Sequence, residues 1–213
     1  MPHPADPIRR RLIAAGAAAA LLAFAGPLAA QEAPATPEIV ELVVGDPDAP
    51  VTMIEYASFT CPHCANFHLG VLPQLREEFV ETGQVRLIYR EVFFDRPSLW
   101  AAMIARCAGE DRYFGVAELL FRDQANWSRA TDAEGLVRAL YAIGRQAGMT
   151  DAAMEACLQD GALAQALVET FQANAAEHGI DATPTFVING ETVANMPWPD
   201  LRARIEAALA AAS

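Results

Sequence analysis

The chain is predicted to be an α/β protein: a mixed sheet flanked by helices, with an all-helical block inserted between the two halves of the sheet. Three observations predict this. Apolar, β-branched segments bounded by Gly, Pro, Asn and Asp occur near 39–56, 84–92 and 185–194. Residues 97–179 are alanine-rich, helical in period and nearly free of strand signal. The order of elements is then β-β-α-β, a helical block and β-β-α, with two cysteines where the second strand gives way to the first helix.

The N-terminal residues 1–30 have the outline of a cleavable export signal. Arg9, Arg10 and Arg11 form a charged start, Leu12 to Ala25 is an apolar run too short to span a bilayer, and Pro27 breaks it ahead of a cut expected after Ala30. The alternatives are an uncleaved anchor and, for the route, a twin-arginine signal in place of the ordinary secretory one. Residues 31–37, rich in Pro and Ala, read as a flexible tether. The first half of the sheet domain is expected over 38–96. It opens with two apolar strands around the acidic turn "GDPDAP", the second being Val51 to Tyr56. The helix after the cysteines places Phe67, Val71, Leu75 and Phe79 on one face, with Pro73 expected to kink it and Gly83 to stop it. "QVRLIYREV" is the next strand. Within the block, helices are expected at Ser98–Ala108, Arg112–Arg122, Asp132–Ala147, Asp151–Gln159 and Ala162–Gly179, with a loop through "DQANWS". The second half, 180–213, holds a strand at Thr185–Ile188, an Asn189-Gly190 hairpin turn, a partner strand to Ala194 and a closing helix with Pro199 near its start.

Composition narrows the function. Apolar residues make up 53% of the chain, enough for a core, and the formal charge is −12 with no lysine. A nucleic-acid or anionic-membrane surface is therefore excluded. Any cation near the cysteines has to be an arginine, a histidine or a helix end. The tether carries no coiled-coil pattern, so a monomer is expected. Export would put Cys61, Cys64, Cys107 and Cys157 in an oxidising compartment, where four cysteines allow three connectivities.

The stretch "EYASFTCPHCANFH", residues 55–68, carries the chemistry. Pro62 suits the first position of a helix, which puts Cys61 at its N-terminus. Unpaired N–H groups and the positive end of the helix dipole would favour the Cys61 thiolate, which is both attacking group and leaving group in disulfide exchange. Cys64 lies one turn further in, shielded and placed to close a disulfide. His63 is a candidate donor to the Cys61 thiolate, against the plainer alternative of an exposed helix residue. Glu55 is an acid in a buried strand six positions ahead of Cys61, a candidate acceptor for the Cys64 proton. Its alternative is an edge position in water. The same Cys pair could hold zinc with His68 as third ligand, but no second compact ligand pair follows. It could also be a purely structural bridge. His68 is otherwise expected on the helix surface, His178 at a helix end, and Trp100, Trp127 and Trp198 in core or groove positions.

With those residues in place, the chain resembles the bacterial DsbA-type members of the thioredoxin superfamily. The likeness runs from about Glu38 to Ala211 and is carried by "EYASFTCPHC", the strand-to-helix junction, the helical insertion and "ATPTF" before the last hairpin. It implies a thioredoxin fold with an inserted helical subdomain and a strongly oxidising Cys61/Cys64 pair; that strength comes with the resemblance and is not deduced from spacing. It also implies a substrate-binding cis peptide at Thr183-Pro184, whose proline leaves no N–H beside the sulfurs. No cofactor and no metal are expected beyond the redox-active disulfide. The implied partners are reduced or unfolded exported proteins in the periplasm and a membrane protein that recycles the dithiol. Thr183 departs from the valine of the best-known oxidases, so disulfide isomerase or reductase is the alternative, with a non-catalytic chaperone or metal-handling protein as a second one. Cys107 and Cys157 are expected to form a structural disulfide, against two separate buried thiols.

Overall fold

Val51–Ala57 forms β2, the strand on which the molecule is organised. Six of its seven residues are buried, as an apolar β-branched strand paired on both sides requires. The computed structural model describes residues 37–212; the expected signal, and residues 31–36 of the expected tether, lie outside the described residues. β2 runs parallel to β3 (Val85–Glu91) and antiparallel to β4 (Thr185–Ile188), and β1 (Leu42–Val44) and β5 (Glu191–Ala194) form the edges in the order β1-β3-β2-β4-β5. The acidic turn at 45–50 does not close a hairpin. β1 pairs antiparallel with β3 because both sides of β2 are already taken. β4 and β5 do close a hairpin. Asn189 and Gly190 both have positive φ, 46° and 88°, the turn whose twist matches the strands.

Between β2 and β3 the chain crosses over through one continuous helical stretch: α1 (Pro62–Asn66), a π-helical turn at Phe67–Val71, α2 (Leu72–Leu75) and a second π-helical turn at Arg76–Val80. Pro73 sits in the first turn of α2, so its missing N–H is absorbed where the helix is already irregular. Phe67, Leu75 and Phe79 face Met53, Phe186 and the closing helix α9 (Trp198–Ala212) to make the core on this side of the sheet.

The helical block packs on the rest as α3 (Arg96–Cys107), α4 (Glu110–Arg122), α5 (Gln124–Trp127), α6 (Ala133–Gln146), α7 (Asp151–Leu158) and α8 (Gly161–His178). Asp95, Asp132, Thr150 and Asp160 cap four of these with their side chains. The expected loop through "DQANWS" contains α5, with Trp127 fully buried. Buried Glu91 ties the block to the sheet: the partly buried Arg106 grips it through Nε and Nη2 at 2.7 and 2.6 Å, and the buried Tyr113 donates to the same carboxylate at 2.9 Å. On the sheet's other face the Tyr56 hydroxyl lies 2.7 Å from His178 Nδ1, at the end of α8, where Gly179 stops the helix in the left-handed region. Cys107 and Cys157 are bonded to each other, linking α3 to α7 across 50 residues.

Candidate active site

Cys61 is the residue that caps α1. Its backbone is extended (φ −81°, ψ 118°), Pro62 takes the first helical position, and the Cys64 N–H donates to its sulfur at 3.4 Å. As a thiol Cys61 donates to the Thr183 carbonyl at 3.2 Å, across a cis Thr183–Pro184 peptide. Cys61 is partly exposed and Cys64 fully buried, and both are free thiols here.

The two sulfurs are driven apart in acidity. The Cys64 thiol donates to the Cys61 thiolate, and the Thr183 side chain and the backbone N–H groups of Cys64 and His63 add to it; against the opposition of burial they bring the Cys61 pKa down to about 5. Burial pushes Cys64 far above an ordinary thiol, and its bond to Cys61 and the charge of Glu55 push the same way. Such a pair can attack and leave through one sulfur while keeping the other protonated until its proton is taken.

The acidity carries a stability consequence with a definite sign. A depressed folded pKa favours the folded state above the unfolded pKa, and the gain is lost as pH falls through the folded value. With an ordinary value of 9.0 and a folded one of about 5 for Cys61, the reduced form is expected to lose stability relative to the disulfide form as pH drops from 9 to 5. Cys64, raised, is protonated in both states below its unfolded pKa, so its contribution there is constant and adds no pH dependence. Urea titration of both redox forms across that range checks this, and a gap that does not change with pH is the contrary result.

Glu55 is fully buried on the strand beneath the pair, on the same sheet face as its neighbours in register, Tyr89 and Phe186. The edge-position alternative is thereby removed. His63 is exposed, and its contact with the Cys61 sulfur is made by the backbone N–H, so the expected imidazole donor is replaced by a main-chain one. His68 departs furthest from expectation. Its side chain is 7% exposed, and Nε2 lies 3.1 Å from Glu55 Oε2. His68 stands four residues after the buried Cys64 and shares that residue's inward face, within the π-helical turn that begins at Phe67. No group of three or more His, Cys, Asp or Glu among the described residues is arranged to hold a metal.

One further side chain was not legible in the sequence. Gln124, in α5, donates through Nε2 to the carbonyls of Phe59 and Cys61 at 2.7 and 2.9 Å, clamping the turn that presents the sulfurs. A buried glutamine beside a buried tryptophan was the available signal, but nothing in the chain said which loop it would reach.

The model of the Thioredoxin family matches residues 38–207. A Rickettsia bellii protein named provisionally as a protein-disulfide oxidoreductase is 28% identical over 170 residues, which cover 79% of this chain and 64% of that protein. The chain therefore spans a little under two thirds of the length of that curated relative. Among solved structures, alpha-DsbA1 of Wolbachia pipientis superposes with a TM-score of 0.73 at 27% identity, covering 83% of this chain and 94% of that one. A protein-disulfide isomerase from Novosphingobium aromaticivorans gives 0.68 at 26%, covering 79% and 97%. The chain belongs to the thioredoxin family, and the proteins it is similar to there are named as DsbA-type proteins and protein-disulfide oxidoreductases.

Proposed function

We propose that the protein is an exported dithiol oxidase that introduces disulfides into other periplasmic proteins through Cys61 and Cys64. The observation that carries this is the geometry of the pair: a partly exposed Cys61 at the N-terminus of α1, reached by the Cys64 N–H and facing Thr183, over a fully buried Cys64, an arrangement that brings the Cys61 thiol down to about 5 and pushes Cys64 up. A substrate thiolate attacks Cys61 Sγ, the Cys61–Cys64 bond breaks, and Cys64 leaves with the electron pair and takes up a proton. A second substrate thiolate then attacks its own sulfur in the mixed disulfide, and Cys61 leaves as a stabilised thiolate. That stabilisation of the reduced form is what makes the disulfide form an oxidant. Glu55 is the proton carrier for Cys64, and Thr183 and Pro184 line the face where the substrate chain would lie.

The electrons reside on the cysteine pair alone in this scheme, with no cofactor, and a membrane redox partner restores the disulfide. Export by the secretory or twin-arginine route, action as a monomer and substrates that are reduced or unfolded proteins complete the proposal. Isomerase is the second reading, favoured by Thr183 beside the sulfur and by the similarity to a protein titled as an isomerase. The deciding experiment is an equilibrium titration against glutathione alongside an assay on scrambled ribonuclease. The oxidase oxidises reduced ribonuclease faster than glutathione disulfide does. A potential near that of thioredoxin together with rescue of the scrambled enzyme would sink it. Thr183→Val is expected to leave the protein an oxidant, with its potential moved by no more than about 30 mV, roughly 1.4 kcal/mol for two electrons, because Thr183 is one of several groups on the sulfur.

A further inference from the structure

Glu55 poses a problem for the proposed chemistry. Each oxidation of substrate needs one proton delivered to Cys64, and each regeneration needs one removed. Glu55 and Cys64 are both fully buried, so neither can exchange protons directly with water. The groups facing Glu55 are the Cys64 thiol from α1, His68 from the π-helical turn and the Tyr89 hydroxyl from β3. Tyr89 is 2% exposed and lines only a small cavity of about 30 Å³. His68 is different. Its Nε2 is 3.1 Å from Glu55 Oε2, and the same residue lines an open cavity of about 800 Å³ between the crossover helix and α4, beside Arg76, Glu118 and Arg122.

The local packing suits movement of a proton more than a fixed bond. Both Glu55 oxygens and His68 Nε2 are buried, and their approach is off the line of a hydrogen bond, so none has an aligned partner. Buried polar atoms left in that state usually have a task. The imidazole is held in place from both sides: Phe121 stacks on it at 4.2 Å and 30°, and Tyr89 meets it edge-on at 5.3 Å.

We propose that His68 is the positioning residue that carries protons between Glu55 and the open cavity; this rests on the oxidoreductase reading of Cys61 and Cys64. When the Cys61–Cys64 bond breaks, the Glu55 carboxyl gives its proton to the Cys64 sulfur and becomes a carboxylate. His68 returns a proton to it from Nε2, and the ring takes a replacement from cavity water on Nδ1. During regeneration the Glu55 carboxyl first passes its proton to Nε2, and Nδ1 releases one to the cavity. The carboxylate left behind takes the Cys64 proton as Cys64 attacks Cys61 Sγ of the mixed disulfide with the recycling partner, whose sulfur departs with the electron pair. One proton in and one proton out restore both the carboxyl and the imidazole tautomer, so a full cycle leaves the relay as it began.

The test uses a glutathione mixed disulfide at Cys61 and follows its resolution by Cys64 in stopped flow. His68→Phe keeps an aromatic ring against Phe121 and is expected to slow resolution at neutral pH by about 10²-fold, the lower end of what a positioned proton carrier contributes. His68→Ala opens space beside the cavity, and added imidazole is expected to restore part of its rate. A rate unchanged in both variants, or a slowing that imidazole does not relieve, overturns the relay. The pH profile of Cys61 alkylation is read in parallel on the wild type. Absence of a depressed thiolate there defeats the oxidase reading itself, whereas a normal profile with unaffected His68 variants defeats only the relay. If neither variant folds, time-resolved infrared spectroscopy on the wild type during reduction decides: carboxyl and imidazole bands changing together support the relay, and a carboxyl change with silent imidazole bands overturns it.

Discussion

Cys64→Ala is expected to accumulate substrate proteins joined covalently to Cys61, while Cys61→Ala accumulates none. Cys61 is the sulfur that is partly exposed and prevails as thiolate above about pH 5, so it makes the first bond with a partner. Cys64 is buried directly behind it and is the nucleophile that releases the partner during exchange in either direction. An oriented intramolecular nucleophile acts at effective concentrations far above the millimolar thiol that would have to replace it. The mixed disulfide in Cys64→Ala should therefore outlive the wild-type one by at least about 10³-fold at such thiol concentrations. Non-reducing gels and intact mass after acid quenching measure it. Adducts that persist in Cys61→Ala instead would reverse the assignment of the two sulfurs.

The second large effect is on stability. Cys107–Cys157 closes a loop of 50 residues, from α3 to α7, around most of the helical block. The chain-entropy model gives a bridge of that length about 4 kcal/mol, a large part of a domain's usual margin. Cys107→Ser with Cys157→Ser is expected to lower the urea midpoint by a corresponding amount while leaving the Cys61 alkylation rate unchanged, because neither half of the bridge touches the Cys61–Cys64 turn. The bridge should also survive glutathione that reduces Cys61–Cys64, so thiol counting after mild reduction should find two free thiols. Four would show the bridge to be labile, and a midpoint that does not move would show that the block holds itself together without it.

Much of this protein is determined locally and could be read before any coordinates. The alternation of β-branched strands with an alanine-rich helical run gave the order of elements, because burial on a strand and on a helix imposes different periods. Pro62 after Cys61 placed the first sulfur at a helix start, and Asn189-Gly190 placed the last hairpin, because both depend on backbone geometry over two or three residues. What only the tertiary structure decided depends on contacts between distant segments. Which strand β1 joins depends on β2 being occupied on both sides. Gln124 serves the cysteine turn from 63 residues away, through a short helix the sequence suggested was a loop. His68 faces Glu55 because it shares the inward face of the crossover helix with Cys64, four residues earlier, and that face is turned to the strand carrying Glu55. Which face of the crossover helix meets the sheet follows from how it packs between the sheet and α4, and that packing is a property of the whole fold and cannot be read from any window of the chain.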